Sequence, residues 1–476
     1  MAGVLTLVAL VLRLPGLQES LAGDEFFTYD IVTRASLGDV LDEVRDAGEN
    51  SPPLFFVLSW LSAKLGDPTT TLRLPSLVLG TATVPLVYLL GARSVGRLAG
   101  LVGAAVLALS PFAVFYSVEA RAYATLSFFA VASTLALLCA LEGRGWRRWA
   151  LYALAALGVV YSHYTGVFVL LVQAAWVAWA HRDRLKQAAL AWAAVVLGFV
   201  PYLPFFFEQR DQAADVGIIE FLGPFTLENL VKSSVTLVAG YPFAPLRDVP
   251  GRLALALLAL GACIGLVSAL LRAGRPKPGL VLIAGLAVAT PLGVSLASQV
   301  GRDILVARNL SASLPFAALL LGAAAAAARP RLVPLAAALV LAPMAIGVVA
   351  AGSDEHRRTP YDDIAQLIDQ RARPGDPVLD VSFIQRSGPL TRTLLTYFEQ
   401  PHDVFRGGID DRAAWRQGER SGQVFVVSLQ VGSLRGQPKL EPELQRRFRL
   451  ADSRYYAANF PVAVFVYESV RPAASG

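Results

Sequence analysis

The chain has 476 residues, of which 55% are hydrophobic and 16% charged, and its mean hydropathy is +0.52. This composition excludes an ordinary soluble domain, in which about 25% of residues are charged. The net charge of +6 comes from short basic clusters between apolar runs and does not indicate nucleic-acid binding, and the isolated Cys139 and Cys263 indicate neither a disulfide framework nor a metal site.

Long apolar runs recur along the first three quarters of the chain, at the length of roughly 17–25 residues that a membrane-crossing helix needs. We therefore predict an all-α polytopic membrane domain over residues 1–351. Its eleven predicted spans are residues 2–17, 72–92, 98–115, 122–141, 149–161, 165–180, 185–207, 253–271, 279–297, 310–328 and 332–351.

The loops between these spans set the predicted orientation. The basic clusters are "GARSVGR", "EGRGWRR", "HRDRLK", "LRAGRPK" and "RPR". With eleven spans and a cytoplasmic N-terminus all five clusters face the cytoplasm, as the positive-inside rule requires for a multi-pass plasma-membrane protein. Counting the run at 52–66 as a span would invert every later loop, so we interpret it as a re-entrant or juxtamembrane helix.

Three larger segments then lie on the external side: residues 18–71, 208–252 and 352–476. In the first, apolar residues at helical spacing predict a short amphipathic helix; they are Leu37, Val40, Leu41 and Val44. In the last, "DDIAQLIDQRA" predicts a helix, and "PGDPVLDVS", "GQVFVVSL" and "FPVAVFVYES" predict strands. We therefore predict a small external α/β domain at the C-terminus.

Ionisable and aromatic residues gather at the ends of spans on this predicted external side. They are Asp24, Glu25, Glu119, Arg121, Tyr123, His163, Tyr164, Arg302, Asp303 and Arg308. Ionisable groups at membrane depth are costly and are functional candidates by default. Structural alternatives stay open: adjacent acids are usually solvated, Glu119 and Arg121 could pair at a helix end, His163 could be a hydrogen-bonded turn residue, and Arg308 could be an interfacial anchor.

A series of motifs in chain order resembles the integral-membrane C-type glycosyltransferases. The motifs are "LRLPGL" with "LAGDEFFTYD", then "ENSPPLFFVL", "LRLPSLVLG", "YSVEARAYA", "SHYTG" and "ARNLSASLP". The branch that they resemble most contains the protein O-mannosyltransferases and lipid A aminoarabinose transferase. Two positions depart from that pattern: Ser51 stands where relatives often carry His or Lys, and Asn309 where they often carry Tyr.

The resemblance implies the C-type fold and the transfer of a sugar from a polyprenyl-phosphate donor to an acceptor hydroxyl, usually with inversion. Asp24 matches the family's catalytic acid and would be the general base. Glu25 would orient the acceptor or hold that base, and Arg121 and Arg308 would bind the donor phosphate. The acceptor would be a glycan, a lipid or a protein. No cofactor is required, although acidic pairs bind a divalent cation in some relatives.

Two other functions stay open at this point. A lipid-carrier flippase or transporter would line a path through the membrane with charge, whereas spans two to four, seven, eight, ten and eleven carry almost none in their interiors. An inactive scaffold that presents the C-terminal domain is the third candidate. Measuring sugar release from a polyprenyl-phosphate donor distinguishes all three.

Overall fold

The computed structural model describes residues 1–46, 49, 51–215, 225–271, 277–300, 303–381, 394–406, 408–430 and 435–470. The chain forms two compact units. The first consists of Met1–Gln18 and Ile31–Ala351, and the second of Glu19–Asp30 and Gly352–Gly476. The sequence did not indicate that Glu19–Asp30 belongs with the C-terminal residues.

The first unit is helical, and a helix occupies each of the eleven predicted span positions. These helices are Ala2–Arg13, Leu74–Ser94, Arg97–Leu109 (continued by Pro111–Tyr116), Tyr123–Glu142, Trp146–Ser162, Val167–Ala180, Leu185–Phe199, Arg252–Leu271, Pro278–Val300, Leu314–Ala327 and Val333–Ala351. Within the described ranges, seven helical segments are long and apolar enough to cross a membrane. The finer count of eleven spans stays a prediction.

Shorter helices complete the first unit: Leu37–Asp46, Leu54–Ala63, Pro68–Thr71, Leu203–Asp215 and Leu227–Ala239. Leu54–Ala63 has ten residues, a length of about 15 Å. That is half the roughly 30 Å of a bilayer's hydrocarbon core, which favours the predicted re-entrant or juxtamembrane helix. In Leu37–Asp46, Val40 and Val44 are buried, whereas Leu37 and Leu41 are 38% and 41% exposed.

Small residues allow the long helices to pack closely, as is usual between membrane helices. Gly322, on the helix Leu314–Ala327, faces the backbone of Arg97–Leu109, and a Cβ at this position would collide with the carbonyl oxygen of Ala99. Any larger residue at position 322 would force these two helices apart.

A buried polar network joins four helices of this unit. The Gln173 amide nitrogen donates to the hydroxyls of Ser133 and Thr134 at 3.1 and 2.9 Å, and its oxygen accepts from Tyr152 at 3.1 Å. The Tyr152 hydroxyl also accepts from the Trp192 indole at 3.0 Å. Because every side-chain polar group of Gln173 has a partner, the network holds these helices together without an unsatisfied amide.

We expect Gln173→Leu to lower the free energy of unfolding by about 1–3 kcal/mol, since the buried Tyr152 hydroxyl loses its acceptor and the hydroxyls of Ser133 and Thr134 lose a donor. Gln187→Leu removes an exposed glutamine and is the matched control. Unfolding of both variants in mixed detergent micelles measures the effect. Equal stability of the two variants would contradict a structural role for this network.

The second unit contains a five-stranded mixed sheet. Its strands are β1 (Pro377–Val381), β2 (Asp403–Phe405), β3 (Gln423–Leu429), β4 (Phe448–Tyr456) and β5 (Val462–Ser469), in the order β2-β1-β3-β5-β4. β1 runs parallel to β2 and β3, and β5 runs antiparallel to β3 and β4. The helices are Glu25–Val32 (which begins in this unit), Tyr361–Arg371, Arg412–Ser421 and Pro442–Arg447.

The predicted helix and three predicted strands of the tail are confirmed as Tyr361–Arg371, β1, β3 and β5. Their apolar runs are buried, and Trp415 packs on Phe448 and Tyr467 in the core beneath the sheet. The sequence did not predict β2, which has three residues, or β4. Most of β4 is exposed at the sheet edge, so it lacks the alternation of apolar and polar residues that marks a half-buried strand.

Candidate active site

Asp24 lies at a tight turn in the second unit, immediately before the helix Glu25–Val32. Gly23 adopts φ +53°, a left-handed conformation that glycine enters without steric cost. The turn is closed by the Glu25 amide, which donates to the Ala22 carbonyl at 3.1 Å. Asp24 is partly exposed, and its position at a helix start favours a negative charge there.

Glu25, in contrast, is fully buried. Its Oε2 accepts from the Ala22 amide at 3.2 Å and lies 3.3 Å from Nε of Arg358. Nη1 of Arg358 also donates to Oε2 of Glu19 at 2.9 Å. The guanidinium therefore compensates a carboxylate that would otherwise be costly to bury. The sequence did not single out Arg358.

In the first unit, Arg121 is held by Glu49. The two guanidinium nitrogens donate to the two carboxylate oxygens at 2.6 and 2.8 Å, and the side chains are only 11% and 6% exposed. The Arg121 guanidinium also lies 5.9 Å from the centre of the Phe56 ring. Glu119 is buried, and its carbonyl accepts from the Arg121 amide at 2.7 Å. Glu49 was missed by sequence reasoning, because a single acid in "DAGENSPP" carries no distinguishing pattern.

His163 is buried in the turn between the helices Trp146–Ser162 and Val167–Ala180. Its Nδ1 accepts from the Thr165 amide at 3.3 Å and lies 2.9 Å from the Thr165 hydroxyl. Burial, together with the positive charges of Arg121 and Arg308, lowers the pKa of His163 to about 4. His163 is therefore a neutral imidazole at pH 7, in the neighbourhood of two cations.

Tyr123 belongs to the same neighbourhood, with its ring centre 5.8 Å from that of His163. The structure of the first unit thus brings together Arg121, Tyr123, His163 and Arg308, which the sequence places in three separate loops. Guanidinium groups are suited to binding an anion such as a phosphate, and in this neighbourhood the charge of Arg121 is also shared with the Glu49 carboxylate.

Tyr164 connects to a different part of the first unit. Its hydroxyl donates to the side-chain oxygen of Gln209, which is 1% exposed. The Gln209 amide nitrogen in turn donates to the carbonyls of Val44 and Ser51 at 3.0 and 3.4 Å. Tyr164 and Gln209 therefore fix the backbone at Val44 and at Ser51, the residue directly before the run at 52–66.

Arg308 lies on the 3-10 helix Ala307–Ser313 and is partly buried. The helix is fixed by Thr290, whose hydroxyl donates to the Leu310 carbonyl at 2.9 Å. Asn309 donates from its side chain to the Ile304 carbonyl at 2.7 Å and closes the preceding turn. Asp303 is also partly buried, and Arg302 lies outside the described residues.

Among the residues that the structure describes, no group of three or more His, Cys, Asp or Glu side chains is placed to hold a metal ion. The divalent cation that the resemblance allows stays an expectation from the sequence.

Comparisons with known proteins identify the fold. Residues 50–207 match the family described as dolichyl-phosphate-mannose-protein mannosyltransferase. No curated protein matches the chain by sequence. The structure resembles that of ArnT from Cupriavidus metallidurans bound to undecaprenyl phosphate, with 14% identity over 97% of this chain and 96% of that chain and a TM-score of 0.56.

It also resembles the oligosaccharyltransferase AglB from Archaeoglobus fulgidus in complex with an inhibitory peptide and a dolichol-phosphate. The identity is 12% over 89% of this chain and 68% of that chain, with a TM-score of 0.54. These likenesses establish an ArnT-like fold, with a mostly helical membrane domain and a small mixed sheet. Residues 50–207, within the predicted membrane region, thus match the protein-mannosyltransferase family, and the chain as a whole has a fold similar to that of ArnT.

Proposed function

We propose that this protein transfers a sugar from a polyprenyl-phosphate carrier to an acceptor hydroxyl on the external face of the membrane, with inversion. The observation that carries the proposal is the protein-mannosyltransferase match at residues 50–207, within a chain that shares its fold with ArnT along nearly its whole length. The named structures contain undecaprenyl phosphate and dolichol-phosphate, which are lipids of the class that this donor would release.

Asp24 is the proposed general base. The acceptor oxygen attacks the anomeric carbon, its proton passes to the Asp24 carboxylate, and the bond from that carbon to the phosphate oxygen breaks. The electron pair of that bond leaves with the polyprenyl phosphate. Partial exposure of Asp24 supports this role because the base must reach a hydroxyl of an incoming acceptor.

Glu25 has a different proposed role. The sequence left two roles open, orientation of the acceptor or support of the base. A carboxylate with no exposed surface, 3.3 Å from Arg358, favours support of the base. We therefore assign Glu25 to positioning rather than to contact with the acceptor.

Arg121 and Arg308 are the proposed ligands of the donor phosphate. A lipid phosphate is already a good leaving group, so cations that stabilise its charge serve the reaction better than a protonating acid. The positive charges of Arg121 and Arg308 both contribute to lowering the pKa of His163, and this supports the proposal because two ligands of one phosphate must lie in one neighbourhood. Glu119, Tyr123 and Tyr164 are proposed to shape this region.

The proposed orientation makes a direct prediction about topology. With a cytoplasmic N-terminus and eleven spans, a reporter fused after Gly476 would be on the external side. We expect alkaline phosphatase at this position to be active and green fluorescent protein to be dark after bacterial expression. The reverse pattern would contradict the orientation and the external active site together.

The reaction itself is tested with the purified full-length protein in lipid nanodiscs. A polyprenyl-phosphate-linked sugar, labelled in the sugar, is supplied with and without a membrane extract as the source of acceptors. We expect acceptor-dependent loss of the labelled lipid and formation of free polyprenyl phosphate. Movement of the intact labelled lipid across proteoliposomes without cleavage would instead identify a flippase, and the absence of both activities would favour the scaffold.

A further inference from the structure

The segment that carries Asp24 is bound within the second unit by residues from the C-terminal part of the chain. Arg358 contacts it at two points, Glu19 and Glu25, at 2.9 and 3.3 Å. The Arg358 side chain is 3% exposed and that of Glu25 is fully buried. Arg358 is more than three hundred residues away in sequence. It contacts Glu19, which precedes Asp24, and Glu25, which directly follows it.

Three further contacts bind the same segment. The Ser20 hydroxyl donates to the Asp362 carboxylate and accepts from the Asp362 amide at 3.0 Å. The Leu21 amide donates to the hydroxyl of Tyr397 at 2.6 Å. The Phe26 ring packs edge-on against that of Tyr361, with 6.1 Å between ring centres. The C-terminal residues thus contact this segment before and after Asp24.

Arg358 is itself fixed by the sheet of its own unit. On its N-terminal side, the Arg357 carbonyl accepts from the Asn459 amide at 2.8 Å. On its other side, the Thr359 hydroxyl donates to the Phe460 carbonyl at 2.7 Å. Asn459 and Phe460 lie just before β5, so the backbone at Arg358 is hydrogen-bonded to the segment that enters a central strand.

We propose that the C-terminal part of the second unit, Gly352–Gly476, positions the catalytic base, and that Arg358 is the positioning residue through which it acts. Arg358 compensates the charge of Glu25 and so fixes the first turn of the helix that follows Asp24. General-base catalysis depends on a placement of the carboxylate within hydrogen-bond reach of the acceptor hydroxyl, and a misplacement of 1 Å can cost about 100-fold in rate. This inference rests on the proposed function of Asp24.

The test compares Arg358→Gln, Arg358→Lys and Arg357→Gln in the full-length protein. Arg357 is the matched control, because it is the adjacent arginine and its side chain is 57% exposed, in a surface ion pair with Asp354. We expect Arg358→Gln to lower kcat by about 10- to 100-fold with little change in the KM for the lipid donor. Arg358→Lys, which keeps the positive charge, should recover most of kcat, and Arg357→Gln should match the wild type.

A double variant tests whether Arg358 acts through Glu25. If it does, adding Arg358→Gln to Glu25→Gln should cost much less than adding it to the wild type, because the buried charge that it compensates has gone. Strictly multiplicative losses in kcat would overturn the proposed route through Glu25.

Tyr397→Phe is a second variant for the case that Arg358→Gln does not fold. It removes a neutral hydrogen bond and leaves the ion pair of Arg358 with Glu25 in place. It removes the hydroxyl bonded to the Leu21 amide, and we expect a smaller fall in kcat, again without a change in donor KM. Resistance of the C-terminal unit to trypsin reports whether each variant is folded.

Two results separate failure of this inference from failure of the proposed function. If Asp24→Asn is inactive while Arg358→Gln and Tyr397→Phe both turn over like Arg357→Gln, the inference is wrong and the proposed base stands. If Asp24→Asn is fully active, the proposed base itself is wrong, and the inference falls with it.

Discussion

Asp24→Asn should reduce turnover by about 10²- to 10⁴-fold while leaving binding of the lipid donor intact, because general-base catalysis typically contributes that much. The amide keeps the size of the carboxylate but cannot accept the acceptor's proton. Turnover is measured as release of polyprenyl phosphate in nanodiscs. Binding is measured as the fraction of labelled lipid donor that stays bound to the protein when the same nanodiscs are diluted.

Glu25→Gln is the comparison that separates the two carboxylates. We expect it to lose less turnover than Asp24→Asn, since its buried oxygen is 3.3 Å from Arg358 and its role is support of the base. If neither substitution changes turnover, Asp24 is not the base and Glu25 has only a structural role in its ion pair with Arg358. If both fail together and lose a bound cation on chelation, the pair is a metal site and not a base with its support.

Arg308→Gln should lower kcat/KM for the lipid donor by about 10²- to 10³-fold, the range seen when one charge-stabilising donor is removed from a reaction site. The matched control is Arg247→Gln, since Arg247 is a 68% exposed arginine near the start of the helix Arg252–Leu271. Normal donor affinity in Arg308→Gln would mean that this arginine is an interfacial anchor.

Arg121 needs a different design, because its removal takes the ion-pair partner away from the buried Glu49 carboxylate. Arg121→Gln alone should lose donor use and also stability, since breaking one partner of a buried ion pair costs several kcal/mol. Arg121→Gln with Glu49→Gln should regain stability. If the double variant also regains donor use, Arg121 is a structural residue and the proposed phosphate contact is wrong.

Membrane helices were readable from sequence because a bilayer imposes a long apolar run on every helix that crosses it. Helices therefore occupy all the predicted span positions. The tail strands were found because their burial within the sheet likewise requires continuous apolar runs. Apolar patterns that are short or on the surface carried less information. The edge strand β4 shows this limit, whereas the amphipathic helix that the sequence predicted from Leu37, Val40, Leu41 and Val44 is confirmed as Leu37–Asp46.

Residue types also indicated which side chains are candidates for the active site. The two acids in "AGDEFF" and the arginines at span ends were candidates on charge and position alone. The sequence could not give their partners, because Arg121 with Glu49 and Glu25 with Arg358 are pairings between residues far apart in the chain. Nor could it distinguish the partly exposed Asp24 from the fully buried Glu25, which are adjacent.

Sequence by itself determined the class of protein, the positions of its apolar helices and the main elements of its tail, since those depend on local composition and periodicity. Only the tertiary structure decided which charges are compensated, that His163 is neutral beside two arginines, and that Glu19–Asp30 belongs with the C-terminal residues. Those properties depend on burial and on pairings at distances of about 3 Å, and such contacts leave no periodic trace in the chain.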